Sequence, residues 1–248
     1  MKTAFITGAT SGIGKATAIA LANNYRLILC GRRSDKLEEL KRELSSQTEV
    51  QTLTFDVSDK RQVNEAIQSL PKEWQKIDVL INNAGNAHGL STFQDAELDD
   101  LEAMIDINVK GLIYVTKAIL PLMLLGQSGH IINLSSIAGK ETYQNGTVYC
   151  ASKSAVESIS KGLRLDLVNT GIKVTNVAPG AVETEFSLIR FKGDKDRASK
   201  VYEGYTPLLA EDIAHAIAYA VNAPEHVQIA DMTIFPKAQA GPTVFNKK

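Results

Sequence analysis

The feature that most limits how this chain can fold is its alternation of two periodicities. Short β-branched and apolar runs at 4–7, 26–30, 50–54, 79–82, 131–134, 173–177 and 229–233 are separated by longer helical patterns. Those patterns lie near 13–23, 35–46, 59–70, 97–125, 149–169 and 211–222. Strands alternating with helices predict a parallel sheet covered by helices on both faces. Crossovers of this kind are right-handed, so the expected class is α/β, a Rossmann-like, doubly wound parallel sheet. With 248 residues and no repeat, linker or low-complexity tract, the chain is read as one domain, 1–248. Asp59 and Asp95 are expected N-caps, and Gly171 an expected stop after the helix from Tyr149. The stretch 186–205 is rich in charge and weakly periodic, which predicts a mobile flap near a ligand.

Composition excludes several function classes. The chain is 44% apolar and 22% charged, with a formal net charge of −1. No long run of like charge appears, so electrostatics points to no nucleic-acid or membrane partner. The first residues run straight into a strand-like segment without an apolar h-region, and no secretory signal is expected. The longest apolar stretch, 111–125, is interrupted by Lys117 and Pro121 and is too short to span a bilayer. Cys30 and Cys150 cannot build a disulfide framework, which fits a reducing cytoplasm. His88, His130, His215 and His226 are scattered, so no metal site is expected.

The first strand ends in Thr7-Gly8-Ala9-Thr10-Ser11-Gly12-Ile13-Gly14, and a helix follows. Glycines let backbone approach a pyrophosphate, and helix N-terminal N–H groups favour an anion. An ordinary flexible turn would show the same three glycines; the position between strand and helix favours a dinucleotide. An NAD site usually carries an acidic residue about twenty positions on. Here the second strand ends Gly31-Arg32-Arg33, with no carboxylate until Asp35. Two guanidiniums would pair with a 2′-phosphate through charge-assisted bonds, so the expected cofactor is NADP.

Tyr149 and Lys153 open a predicted helix at i, i+4 and share one face. A phenol with an unperturbed pKa near ~10 is a poor base at neutrality. A nearby cation lowers that pKa and makes proton transfer at a carbinol oxygen feasible. In isolation such a pair is commonplace, but Ser135 and Ser136 end the fifth strand, where open α/β sheets bind ligands. A hydroxyl there would polarise a carbonyl oxygen. Asn108 falls on the apolar stripe Leu101, Ile105, Leu112 and Val115. A buried amide there serves either a structural network or a water link to Lys153.

Together, the Thr7–Gly14 loop, Asn82-Asn83-Ala84-Gly85, Asn108, Ser136, Tyr149-x3-Lys153 and Pro179-Gly180 resemble the short-chain dehydrogenase/reductase family. The resemblance implies a catalytic tetrad of Asn108, Ser136, Tyr149 and Lys153, and selects Ser136, thirteen residues before the tyrosine, over Ser135. It implies cofactor contacts from Gly8, Thr10, Ser11, Gly12, Ile13, Gly14, Arg32 and Arg33. Asp56 and Val57 would touch the adenine, Asn83 and Ala84 the ribose. Pro179, Gly180, Val182 and Thr184 would hold the nicotinamide amide and the diphosphate. The NADP subgroup often has a basic residue just before Gly12; Ser11 stands there instead, leaving phosphate recognition to the two arginines. The segments Glu183–Ser187, Arg190–Asp194 and Ile229–Asp231 look like the NADP-dependent 3-hydroxy acid dehydrogenases, of serine 3-dehydrogenase and L-allo-threonine dehydrogenase type. That likeness implies short β-hydroxy acids or β-hydroxy amino acids as substrates, and a homotetramer. Arg190 is then the candidate for a substrate carboxylate, or else a solvated surface arginine. The rival reading is a reductase of small ketones, diketones or aldehydes; a non-catalytic NADP-binding regulator is disfavoured because Tyr149 and Lys153 are both kept.

Overall fold

A computed structural model describes residues 1–248. In chain order its elements are β1 (Lys2–Thr7), α1 (Gly12–Leu21), β2 (Tyr25–Gly31), α2 (Ser34–Leu44), β3 (Val50–Thr54), α3 (Lys60–Gln68) and β4 (Val79–Asn82). There follow α4 (Leu98–Ile105), α5 (Leu112–Leu125), β5 (Gly129–Leu134), α6 (Ile137–Lys140), α7 (Thr147–Asp166) and β6 (Ile172–Pro179). The last third holds β7 (Val182–Glu183), α8 (Glu185–Arg190), α9 (Lys195–Lys200), β8 (Leu208–Leu209), α10 (Ala210–Val221) and β9 (Asp231–Ile234).

All seven expected strands form one parallel sheet in the order β3-β2-β1-β4-β5-β6-β9. Alternate residues of the central strands enter different cores, as the pleat requires. Ala4, Ile6, Leu27, Leu29 and Ile81 pack with α1, α2 and α10 through Leu21, Leu37, Leu40, Ile213 and Ile217. Phe5, Ile28, Leu80 and Ile131 pack on the opposite face with α3 and α5 through Val63, Ile67, Ile119 and Met123. Burial on both faces explains why these strands read as continuous apolar runs. Truncating one such side chain, as in Leu29→Ala, costs about 2–5 kcal/mol. The strand order reverses direction between β1 and β4, which opens a crevice at the carboxyl ends of the strands.

Several boundaries differ from expectation. The helix expected over 97–125 is a rod whose middle, Asp106–Gly111, is a π-helical turn. The rod Leu98–Leu125 is long and apolar enough by composition to cross a membrane, yet here α4 packs on α7, and α5 on α3 and β4. Asp59 caps α3, accepting from the N–H groups of Arg61 and Gln62. Asp95 does not cap α4: it lies in a 3-10 turn, where its carboxylate accepts from the Thr92 hydroxyl, and Glu97 takes the N-cap position. Gly171 does not end α7, which stops at Asp166. It turns the chain into β6 with φ +75°, where a Cβ would stand 2.5 Å from the Gln127 carbonyl oxygen.

The expected flap, 186–205, is more regular than its weak periodicity suggests. It holds most of α8 and all of α9, and its root is closed by β7 pairing with β8. The Tyr202 hydroxyl donates to the Val182 carbonyl and so accepts from Ser187, at 2.9 and 2.7 Å. These helices are too short for periodicity to announce them.

Candidate active site

The Gly-rich loop is shaped by approaches that side chains would block. Gly8 and Gly12 have φ of +66° and +50°, and a Cβ on Gly14 would lie 2.3 Å from the Gly8 carbonyl oxygen. From across the switch point, the Asn83 amide donates to the carbonyls of Thr7 and Gly8 at 2.9 and 3.2 Å. The Thr7 hydroxyl accepts from the backbone N–H groups of Asn83 and Ala84, both at 3.0 Å. Ser11 occupies the N-cap of α1 without a side-chain cap bond, so the first N–H groups of that helix are uncapped. Such a terminus suits a pyrophosphate.

Arg32 and Arg33 stand at the end of β2. Arg32 pairs with Asp56 at 3.3 Å. Burial pushes the Asp56 carboxyl up, but hydrogen bonds from the Ser58 hydroxyl and N–H, with the Arg32 charge, outweigh it and hold the group below its ordinary range. Arg33 donates to Thr10 and pairs with Glu185 at 3.1 Å. Gly8, Thr10–Ile13, Arg32, Arg33, Asp56 and Val57 all face one cavity of about 780 Å³. Asn83, Ala84, Pro179, Gly180, Val182 and Thr184 face it as well, whereas Gly14 stands behind the loop.

Ser136, Tyr149 and Lys153 face the same cavity. Tyr149 sits in the first turn of α7, its ring flanked by two residues of α8. Phe186 lies 5.8 Å away, ring to ring, and the Arg190 guanidinium 5.6 Å from its centroid. Burial raises the phenol pKa above its ordinary value and Tyr143 adds to the rise; the nearby Ser136 hydroxyl and the Arg190 charge pull it down. Lys153 is not among the groups acting on the phenol in this arrangement. Its ammonium donates to the Leu134 carbonyl at 2.9 Å, and burial lowers its pKa to about 8.

Ser135 and Ser136 divide their work. The Ser135 hydroxyl donates to the backbone carbonyl of Lys153 at 3.2 Å, fastening β5 to α7. Ser136 caps α6, accepting from the Ala138 N–H at 3.2 Å, and lies beside the Tyr149 phenol.

Asn108 lies in the π-helical turn, not on a regular stripe, and is 2% exposed. Its Oδ1 accepts from the Asn86 N–H, and its Nδ2 donates to the Asn86 carbonyl and the Ser152 hydroxyl, at 2.8, 2.8 and 3.0 Å. The structural network is therefore real. The water-link alternative also has a geometric basis: a Cβ on Gly85 would stand 3.0 Å from Asn108 Oδ1 and 3.2 Å from Lys153 Nζ. One point thus touches both groups, and only glycine at 85 keeps it clear of a side chain.

Arg190 is half-buried, not a solvated surface arginine. Its Nε donates to the Gly89 carbonyl and its Nη2 to the Tyr143 hydroxyl, at 3.0 and 3.1 Å. No carboxylate lies within ion-pair distance of it. Asn86, Ser152, Tyr143 and Glu185 are residues that sequence reasoning missed. Each acts through a contact between distant elements; Ser152, inside the Tyr149–Lys153 segment, and Glu185, inside Glu183–Ser187, lay in stretches already singled out but without a role.

A glycine-rich crevice at the switch point of a doubly wound sheet, facing a Tyr-x3-Lys helix, is the layout of a dinucleotide-binding enzyme. Residues 2–193 match the family model described as short chain dehydrogenase. An NADP-dependent 3-hydroxy acid dehydrogenase of Schizosaccharomyces pombe is 47% identical over 97% of this chain and 94% of the relative. Sulfoacetaldehyde reductase 2 of Chromohalobacter salexigens is 44% identical over 95% of this chain and 94% of the relative. Among solved structures, the closed form of a serine dehydrogenase complexed with NADP+ superimposes with a TM-score of 0.93 at 40% identity, covering 99% of both chains. The chain belongs to the short-chain dehydrogenase family.

Proposed function

We propose that this protein is an NADP-dependent oxidoreductase that reversibly oxidises the β-hydroxyl of short 3-hydroxy acids or β-hydroxy amino acids. The observation that carries the substrate class is Arg190, a half-buried guanidinium without a carboxylate partner, beside the Tyr149 ring in the cavity that also holds the Gly-rich loop. A small acid held there by a charge-assisted contact would bring its β-carbon towards the phenol. The relatives named for 3-hydroxy acids, serine and sulfoacetaldehyde support the reading, because each name implies an acidic group two bonds from the reacting carbon.

Gly8, Thr10–Ile13, Arg32 and Arg33 would hold NADP, which when bound would accept the hydride leaving the β-carbon in oxidation. Tyr149 takes the hydroxyl proton in oxidation and returns it in reduction. Ser136 donates to the same oxygen as charge develops on it. Lys153 orients the ribose and, once turned from the Leu134 carbonyl, lowers the phenol pKa. Asn108 and Lys153 share the point beside Gly85 through which a relayed proton passes.

The deciding experiment is a panel of L-serine, L- and D-threonine, their allo forms and 3-hydroxypropionate, each with NADP and NAD. Turnover of an acidic substrate with NADP is the expected result. Turnover of neutral ketones or aldehydes alone, run alongside with NADPH, would favour the reductase reading. A homotetramer is supported by the exposed Ile113 and Leu125 of α5 and the exposed Leu165 of α7; light scattering tests it. A cytoplasmic location accords with the free thiols of Cys30 and Cys150.

A further inference from the structure

Arg33 is not waiting with open donors. Its Nε and Nη2 are engaged by Thr10, and its Nη1 by the Glu185 carboxylate at 3.1 Å. The contact joins residues 152 positions apart, and both side chains line the cavity. Glu185 is the first residue of α8, and its neighbour Thr184 rests on the Gly-rich loop, where a Cβ on Gly12 would stand 3.3 Å from Thr184 Cβ. The root of the flap is therefore tied to the loop by packing and to Arg33 by charge.

Arg32 is matched in the same way by Asp56. Each positive charge assigned to the 2′-phosphate already has a carboxylate beside it, and the local sum is zero. The two carboxylates differ in how firmly they are held. Asp56 accepts from the N–H and hydroxyl of Ser58 at 2.9 and 2.7 Å, which fixes it. Glu185 makes no hydrogen bond other than that from Arg33, and its side chain is about half exposed. A phosphate arriving at Arg33 meets a carboxylate that can leave.

We propose that Glu185 is a cofactor-discriminating residue: its carboxylate competes with the 2′-phosphate for Arg33, so that NADP binding frees the first residue of α8 whereas NAD leaves the pair closed. This rests on the NADP reading above. Glu185 thus weakens NADP binding selectively and couples the adenosine end of the cofactor site to the helix that carries Phe186 and Arg190.

Fluorescence titration of NADPH and NADH tests it directly, without turnover. Glu185→Gln keeps a hydrogen-bonding group but removes the charge; it should tighten NADPH by about threefold or more and leave NADH unchanged, the scale of one exposed ion pair. In an Arg33→Ala background the same substitution should have no effect on either cofactor. Equal shifts for both cofactors, weaker NADPH binding, or a full Glu185→Gln effect without Arg33 would overturn the proposal. A wild-type protein with no preference for NADPH would instead sink the cofactor reading on which it rests. Glu185→Ala, with melting temperature measured alongside, guards against a fold artefact.

Discussion

The guanidinium of Arg190 lies 5.6 Å from the centroid of the Tyr149 ring, on the same short helix as the Phe186 ring that packs against that phenol. That positive charge lowers the phenol pKa against the rise caused by burial, and in the proposed reading it would also hold the substrate's acid group. Arg190→Ala should cut kcat/KM for 3-hydroxypropionate by roughly 10- to 100-fold, the scale of a hydrogen bond to a charged group. Turnover of a neutral alcohol of similar size should change far less. A uniform loss across both substrates would assign Arg190 to flap structure alone.

In the proposed mechanism Tyr149 would carry the pH dependence. Its phenol pKa is raised, so the protein at neutrality holds it protonated. Oxidation needs the phenolate, and its kcat/KM should climb with pH through the neutral range. Reduction needs the phenol, and should stay flat until alkaline pH and fall there. Tyr149→Phe should lose about 10²–10⁴ in kcat in both directions and abolish the slope, while NADPH titration stays unchanged.

Gly85 lies beside the point that the proposed proton relay would use. Gly85→Ala would put a methyl 3.0 Å from Asn108 Oδ1 and 3.2 Å from Lys153 Nζ. The nearest neighbours are side-chain ends, and overpacking of this kind costs about 1–3 kcal/mol. We expect kcat to fall about tenfold with little change in cofactor affinity, as for a barrier raised by ~1.4 kcal/mol. Unchanged kcat would remove the relay from the mechanism.

His130 sets an acid limit on stability. Burial lowers its pKa from 6.5 to about 3, and the Lys173 charge adds to this. The fold holds it neutral, while the unfolded chain takes up a proton below its own pKa. Its contribution to stability is therefore complete above about 6.5 and is lost progressively as pH falls towards about 3. Thr175 donates to the Ile229 carbonyl and so must accept from His130, which fixes the proton on Nε2 and leaves Nδ1 buried without a partner. NMR of the imidazole should show that tautomer, and denaturant melts of His130→Gln should show a shallower loss of stability between pH 6.5 and 4.

The sheet was legible because its strands are buried on both faces and announce themselves as apolar runs, as Phe5 and Ile6 do by pointing into opposite cores. Tyr149, Lys153 and most of the Gly-rich loop share one cavity, and it was their position in the strand and helix order, more than spacing alone, that marked them in the sequence. The π-helical turn at Asn108 was not: one residue of extra winding leaves no mark in an apolar stripe. Asp95 looked like a cap because capping chemistry is local, but Thr92 satisfied it first. Contacts such as Arg33 with Glu185 and Arg190 with Tyr143 join parts of the chain that share no pattern, and only the folded chain brings them together.

The shortness of α8 has a consequence for how this protein can vary. Its first residue faces Arg33 and its last faces Tyr149, with six residues between the two ends inclusive. One inserted or deleted residue would swing Arg190 by about 100° around the helix while leaving Glu185 in place. Five of the six residues of α8 line the cavity, all but Leu188, so a change in its length would displace the cavity wall along with Arg190. The helix is a gauge as well as a wall, and its residue count is constrained along with its composition.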